Sequence, residues 1–127
     1  MGSNPINLGV RLLLEIGALV GYGYWGWTVS DGVLRYLLAL AIPLVAAVVW
    51  GTFAVLEDPS RSGKAPVPVS GLLRLIIELT FFALASYALF SMGIKTIAWI
   101  YTLTVIAHYI LSYDRIIWLL GQKTYSD

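Results

Sequence analysis

The 127-residue chain is 59% hydrophobic and 12% charged, with a formal net charge of +1 and no cysteine. About a quarter of the residues of a soluble domain are charged, so this chain has too little polar surface to cover a water-soluble globule. The small net charge argues against nucleic-acid binding, which requires a concentrated basic face. The lack of cysteine excludes disulfides and thiolate metal sites. We therefore expect a single integral membrane domain over residues 1–127.

Four apolar runs follow one another along the chain. They cover about residues 8–27, 33–56, 72–92 and 94–120. Twenty helical residues extend about 30 Å, which is the thickness of the hydrocarbon core of a bilayer. Residues 57–70, which include three prolines and four charges, should form an extended exposed linker. The pattern predicts an all-α four-helix bundle that is made of two helical hairpins and crosses the membrane four times.

The basic residues are divided unequally between the two ends of these helices. Six of the eight lie on the side that holds both termini and the linker, called the linker side below. Basic residues are enriched on the cytoplasmic side of membrane proteins. We therefore expect both termini in the cytoplasm.

One short pattern occurs twice. Residues 11–15 read Arg-Leu-Leu-Leu-Glu, and residues 74–78 read Arg-Leu-Ile-Ile-Glu. Charges inside a membrane helix are costly and are usually paired or functional. The pattern predicts a parallel two-plus-two internal repeat, with chance similarity between leucine-rich helices as the alternative.

Depth along the helices places six charges in one layer, about 10 Å from the linker side. The fourth run also has a polar face, which should point into the bundle. His108 on this face should lie about 18 Å from the linker side, near the midplane. The predicted polar layer binds a ligand or fixes the packing, and its residues are Arg11, Glu15, Arg74, Glu78, Tyr101, His108, Asp114 and Arg115.

Two further features concern helix packing. Gly17 and Gly21 form a motif that allows close approach of another helix, either within the chain or from a second copy. Pro43 lies in the middle of the second run, where it should bend the helix and free the carbonyl of Ala39. This carbonyl is available to a ligand or, as we expect, to a partner within the bundle.

Segments along the whole chain form a recognisable set. They are the two Arg-x-x-x-Glu pairs, Gly-Tyr-Trp-Gly-Trp (23–27), Pro43 with Ala-Ala-Val-Val-Trp-Gly-Thr-Phe (46–53), Ala65-Pro66-Val67-Pro68 and Leu-Ser-Tyr-Asp-Arg (111–115). Their order and spacing resemble the YrdB-like family of small bacterial inner-membrane proteins. The resemblance implies a bacterial plasma-membrane protein with about four spans. It implies no substrate or catalytic residue, because the family is of unknown function.

Three functions remain open, and the leading hypothesis is the first. The first is small-molecule binding or transport, with a site lined by Glu15, Glu78, His108 and Arg115 at a depth that solvent does not reach. The second is a structural or accessory protein that oligomerises through its glycine motif, with the charges as a packing clamp. The third is an intramembrane enzyme that acts on a lipid-soluble substrate. We expect the lipid bilayer as a partner and no cofactor, and the scattered carboxylates around one histidine predict no metal site.

Overall fold

The computed structural model describes residues 4–55, Asp58 and residues 65–122. Its elements are α1 (Pro5–Thr28), α2 (Val33–Thr52), β1 (Phe53–Ala54), β2 (Val67–Pro68), α3 (Gly71–Ser91), α4 (Lys95–Leu111) and α5 (Tyr113–Leu120). The two short strands pair in parallel, with Phe53 opposite Val67. The five other elements are all helices, which confirms the predicted all-α class. Residue 56 at the end of the second predicted run and residues 57 and 59–64 of the predicted linker lie outside the described residues.

Three helices, α1, α2 and α3, are long and apolar enough to cross a membrane. Helices α4 and α5 meet this description only as a pair, which is bent by 65°. The described residues therefore contain three candidate spans, or four if the bent pair is one span. This architecture is compatible with a multi-pass membrane protein.

The predicted unbroken helix over residues 94–120 is wrong, because the chain bends at Ser112. The backbone of Ser112 has φ −99° and ψ 28°, away from helical values. Its hydroxyl accepts a hydrogen bond of 2.6 Å from Asn7 Nδ2, and its carbonyl accepts from the amide of Arg115 at 2.9 Å. Sharp bends usually lie at proline or glycine, and residues 109–116 contain neither. The contact with Asn7, far away in sequence, accompanies a bend that no local pattern indicates.

The helices α1 and α3 begin on the same side, each with a side-chain cap. Asn4 Oδ1 accepts from the amide of Ile6 at 2.9 Å, and Pro5 occupies the first helical position. The hydroxyl of Ser70 accepts from the amide of Leu73 at 3.3 Å. These caps satisfy amide groups that have no partner inside the helix, and they define where both helices start.

Helix α1 lies at the centre and packs against α2 through glycine. A methyl group on Gly26 would lie 2.5 Å from the carbonyl oxygen of Leu38, so the two backbones are in close contact. A methyl group on Gly23 would lie 3.2 Å from the carbonyl oxygen of Ala39. This is the carbonyl that has no helical donor, because the residue four positions later is Pro43. The freed carbonyl therefore faces α1.

The Gly17–Gly21 motif is covered within the chain. Gly17 faces the ring of Tyr101 in α4, and Gly21 faces Leu89 in α3. Close packing of small residues between helices is the usual role of this motif in membranes. Its partners here are two helices of the same chain.

The buried core lies between α1, α3 and α4. Its members are Leu14, Ala18, Tyr22, Phe81, Phe82, Ala85 and Tyr109. None of the twenty residues of α2, all of which the structure describes, is fully buried. Leu40 of α2, for example, is 73% exposed. Apolar surface on this scale suits contact with lipid better than contact with water.

Glycine 26 provides a direct test of the α1–α2 contact. We expect Gly26→Ala to lower the free energy of unfolding by about 1–3 kcal/mol, because the new methyl group would push the two backbones apart. The matched control is Gly9→Ala in the same helix, where the methyl group meets nothing within 4 Å. This control should be neutral or stabilising by about 0.5–1 kcal/mol. Denaturant titration in detergent micelles measures both, and equal effects would contradict the close contact.

Candidate functional site

Three arginines converge on the carboxylate of Glu78 in α3. Glu78 Oε2 lies 3.0 Å from Arg11 Nη2 and 2.9 Å from Arg74 Nε, and it also accepts a hydrogen bond from Arg115 Nη2. The other oxygen, Oε1, accepts from the hydroxyl of Tyr109 at 2.9 Å. Glu78 and Arg74 are both completely buried. The carboxylate thus joins α1, α3, α4 and α5. We call the following set the charge cluster: Arg11, Asp58, Arg74, Glu78, Tyr109 and Arg115.

Arg74 connects the cluster to the end of α2. Its Nη1 donates to the carbonyls of Trp50 at 2.6 Å and Phe53 at 2.7 Å. The last carbonyls of a helix lack partners within the helix, so Arg74 supplies a cap from another helix. Its guanidinium also lies 4.3 Å from the centre of the Trp50 ring. The planar guanidinium of arginine suits this combination of stacking and forked donation.

Asp58 is a further acid that contacts one of the arginines. It is 1% exposed, and it accepts hydrogen bonds from both terminal nitrogens of Arg115, with Nη2 at 2.9 Å from Oδ2. The sequence pattern placed Asp58 in an exposed linker, and no periodicity indicates a contact with a residue 57 positions away. Asp58 is therefore a site residue that the sequence analysis missed.

The predicted place of Asp114 in the layer is wrong. The structure places Asp114 in the first turn of α5, where it is exposed. The bend at Ser112 turns Arg115 inward, and neighbouring residues of a helix point about 100° apart. One residue of this pair therefore faces the cluster while the other does not.

The two Arg-x-x-x-Glu pairs occupy different environments. Arg74 and Glu78 are buried completely and lie 2.9 Å apart. Arg11 Nε lies 3.5 Å from Glu15, whose side chain is 22% exposed, while the Nη2 of the same arginine reaches Glu78. Glu78 is thus the centre of the cluster, and Glu15 lies at its edge.

A second set of polar side chains, His108, Asn7 and Ser112, lies beside the charge cluster. His108 Nδ1 lies 3.0 Å from Asn7 Oδ1, and the amide of Asn7 donates to Ser112. All three side chains are buried. Asn7 belongs to the first turn of α1, so His108 lies near the linker side and not near the midplane. The predicted depth is wrong because α4 ends at Leu111.

Asn7 is also absent from the sequence prediction. It lies four residues before Arg11, on the same face of α1. This spacing is the signal that could have identified it.

Tyr101 lies outside the charge cluster. Its hydroxyl donates to the carbonyl of Leu14 at 2.9 Å, and its ring covers Gly17. Eight residues separate Tyr101 from Tyr109, a distance of about 12 Å along the helix. Thr104, on the same predicted polar face, donates to the carbonyl of Ile100 at 2.7 Å. Both hydroxyls therefore satisfy backbone groups.

Some buried donors have no hydrogen-bond partner among the described residues. They include Arg11 Nη1, His108 Nε2 and Arg115 Nε. Buried polar groups are nearly always paired with protein or with ordered water. In the part of the chain that the structure describes, no group of three or more His, Asp or Glu side chains could hold a metal ion. The groups that this site presents are hydrogen-bond donors and ion pairs.

Three apolar grooves lie between the helices, with volumes of about 340, 500 and 210 Å³. The walls of the first include Tyr22, Trp50 and Phe81, and those of the second include Tyr109. Among the described residues, no charged side chain lines any of the three. These grooves suit apolar molecules and do not open onto the carboxylate of Glu78.

Removal of the Tyr109 hydroxyl tests the packing around Glu78. We expect Tyr109→Phe to lower the free energy of unfolding by about 1–3 kcal/mol, because one carboxylate oxygen loses its buried donor. Tyr113→Phe, which alters an exposed tyrosine nearby, is the matched control and should be near neutral. Both variants are compared by denaturant titration in detergent, and a neutral Tyr109→Phe would show that Oε1 does not need this donor.

Proteins of unknown function resemble this chain over most of its length. The family described as "Protein of unknown function (DUF2568)" matches residues 9–106. The chain is 43% identical over 119 residues to "Uncharacterized protein YrdB" of Bacillus subtilis (strain 168), and the match covers 94% of this chain and 97% of that protein. No solved structure matches the chain significantly. The chain therefore belongs to the YrdB-like family of proteins of unknown function, as its sequence motifs indicated.

Proposed function

We propose that this chain is a structural or accessory membrane protein in which the charge cluster is a packing clamp. One observation carries the proposal: the completely buried carboxylate of Glu78 is contacted by three guanidinium groups and one hydroxyl. An ionised carboxylate offers about four acceptor positions. Four groups of the protein contact this one carboxylate, which supports a role for Glu78 in helix packing.

The balance of charge supports the same role. The three arginines Arg11, Arg74 and Arg115 contact three acids, which are Glu15, Asp58 and Glu78. A buried ionic cluster adds little to stability compared with apolar packing, but removal of one partner leaves an uncompensated buried charge. Such a cluster acts mainly by specifying one arrangement of the helices.

The membrane arrangement is part of this proposal. The bent pair α4–α5 provides one crossing, with α5 at its linker-side end, so the chain forms a four-helix bundle with both termini in the cytoplasm of a bacterium. The starts of α1 and α3 on one side and the excess of basic residues there support this orientation. Assembly through the Gly17–Gly21 motif is not part of it, because Tyr101 and Leu89 cover that face.

The two glutamates of the repeated pattern provide the test of the clamp. We expect Glu78→Gln to lower the free energy of unfolding by about 3–5 kcal/mol, because three buried guanidinium groups lose their common anion. Glu15→Gln is the matched control, and we expect a cost below about 1 kcal/mol because its side chain is partly exposed. Unfolding in detergent micelles, with gel filtration of both variants, measures the difference. A stable, well-folded Glu78→Gln protein would disprove the clamp.

A second candidate is binding or transport of a small molecule. The observation in its favour is that Arg11 Nη1 and His108 Nε2 are buried without a hydrogen-bond partner among the described residues. Glu15 beside Arg11 is partly exposed, which provides an edge of the cluster that a small molecule can reach. A ligand here would be a compact hydrogen-bond acceptor such as an inorganic anion. The third function, an intramembrane enzyme, has less support, because Tyr101, Tyr109 and His108 all contact structural partners.

Chloride efflux from vesicles that contain the purified protein distinguishes these two candidates. If the cluster is only a clamp, we expect chloride efflux equal to that of protein-free vesicles. Under the binding and transport candidate, efflux rises, and His108→Asn lowers it without a change in melting temperature. Lys95→Gln, at an exposed position on the opposite side, is the control for nonspecific effects of substitution. Accelerated efflux that depends on His108 would replace the clamp as the main function.

A further inference from the structure

Helix α5 has its polarity reversed relative to an ordinary surface helix. Its outward face consists of Tyr113, Ile117 and Leu120, which are 63%, 65% and 56% exposed. Its inward face holds Arg115 and Leu119, both buried. In a helix on the surface of a soluble protein, the apolar stripe faces the core and the charges face water. An outward apolar face combined with an inward arginine indicates surroundings that are themselves apolar.

The position of α5 agrees with such surroundings. It begins where α4 ends, and after it the carbonyl of Gln122 accepts a hydrogen bond of 3.0 Å from the amide of Gly71, the first residue of α3. A methyl group on Gly71 would overlap the carbonyl of Leu119, so α5 lies directly against the start of α3. Eight helical residues extend about 12 Å, close to the spacing of 8–10 Å between packed helices. Helix α5 therefore crosses the linker-side end of the bundle from α4 to α3.

The outward face of α5 also continues an apolar surface of α4. Ile106 and Ile110 of α4 are 50% and 66% exposed, and they are followed by Tyr113 and Ile117 of α5. The exposed acid Asp114 lies between these two residues, in the first turn. The apolar surface thus extends from α4 to the short helix at its end, with one acid within it.

We propose that α5 is an interfacial helix whose outward face, Tyr113, Ile117 and Leu120, binds the bilayer at the boundary between headgroups and acyl chains. Amphipathic helices bury an apolar face at this depth. The inference rests on the membrane location proposed above. Because the inward face of the same helix holds Arg115 against Glu78 and Asp58, the bilayer helps to retain this arginine in the charge cluster.

Site-directed spin labelling tests this inference, because the chain has no cysteine and each single-cysteine variant carries one label. The variants are Ile117→Cys on α5, Leu44→Cys in the middle of α2, and Lys95→Cys at the opposite end. Each is reconstituted in vesicles of phosphatidylethanolamine and phosphatidylglycerol. Collision rates of the label with oxygen, which partitions into lipid, and with a water-soluble nickel chelate are then compared. Circular dichroism establishes that each variant keeps its helix content.

We expect oxygen collisions to exceed nickel collisions at position 117, by a smaller ratio than at position 44, and the reverse order at position 95. Dominant nickel collisions at 117 together with dominant oxygen collisions at 44 would overturn the interfacial helix and leave the membrane location intact. Dominant nickel collisions at 44 would overturn both.

A label at position 117 that neither reagent reaches would mean that protein covers α5, which also overturns the inference. Dipolar broadening between labels, removed by dilution with unlabelled protein, would identify this cover as a second copy of the chain.

Discussion

The arrangement of the helices depends on the neutralisation of three buried guanidinium groups by the carboxylate of Glu78. Arg11, Arg74 and Arg115 come from three helices, and each is at most 4% exposed. Away from water, a charge is tolerated only beside an opposite charge with hydrogen bonds in good geometry. The carboxylate satisfies this requirement for all three arginines at once, and Asp58 adds a second anion for Arg115. Every helix that contributes an arginine is therefore held in one position relative to α3.

Apolar packing alone specifies the arrangement less well. The faces between α1 and α3 consist of leucine, alanine and aromatic side chains, and among lipids such faces compete with acyl chains that are equally apolar. Charged groups discriminate more strongly between alternative helix arrangements, because a shift of one helical turn would leave a guanidinium without an anion. The cluster also caps the C-terminal end of α2, since Arg74 donates hydrogen bonds to the carbonyls of Trp50 and Phe53. Apolar contacts thus provide most of the buried area between the helices, and the charge cluster sets the position of each helix along its neighbours.

The sequence predicted what depends on local spacing and average composition. The all-α class follows from the apolar runs, and α1, α2 and α3 begin and end within four residues of the predicted limits. The Arg74–Glu78 pair was accessible because both residues lie on one face of one helix. The contact of Asp58 with Arg115 and the bend at Ser112 were not, because each involves residues that are distant in sequence. Both misplaced residues of the fourth run, His108 and Asp114, follow from that bend.

The four-residue spacing of arginine and glutamate has a consequence for the order of assembly. When α1 stands alone, Glu15 is the counter-ion of Arg11, and when α3 stands alone, Glu78 is the counter-ion of Arg74. Each helix can therefore enter an apolar medium as an electrically neutral unit, without waiting for its neighbour. Lateral association then adds a second partner, because Arg11 reaches across to Glu78 while it stays 3.5 Å from Glu15. The repeated Arg-x-x-x-Glu pattern thus first forms an ion pair within each single helix. After association it also forms an ion pair between the two helices.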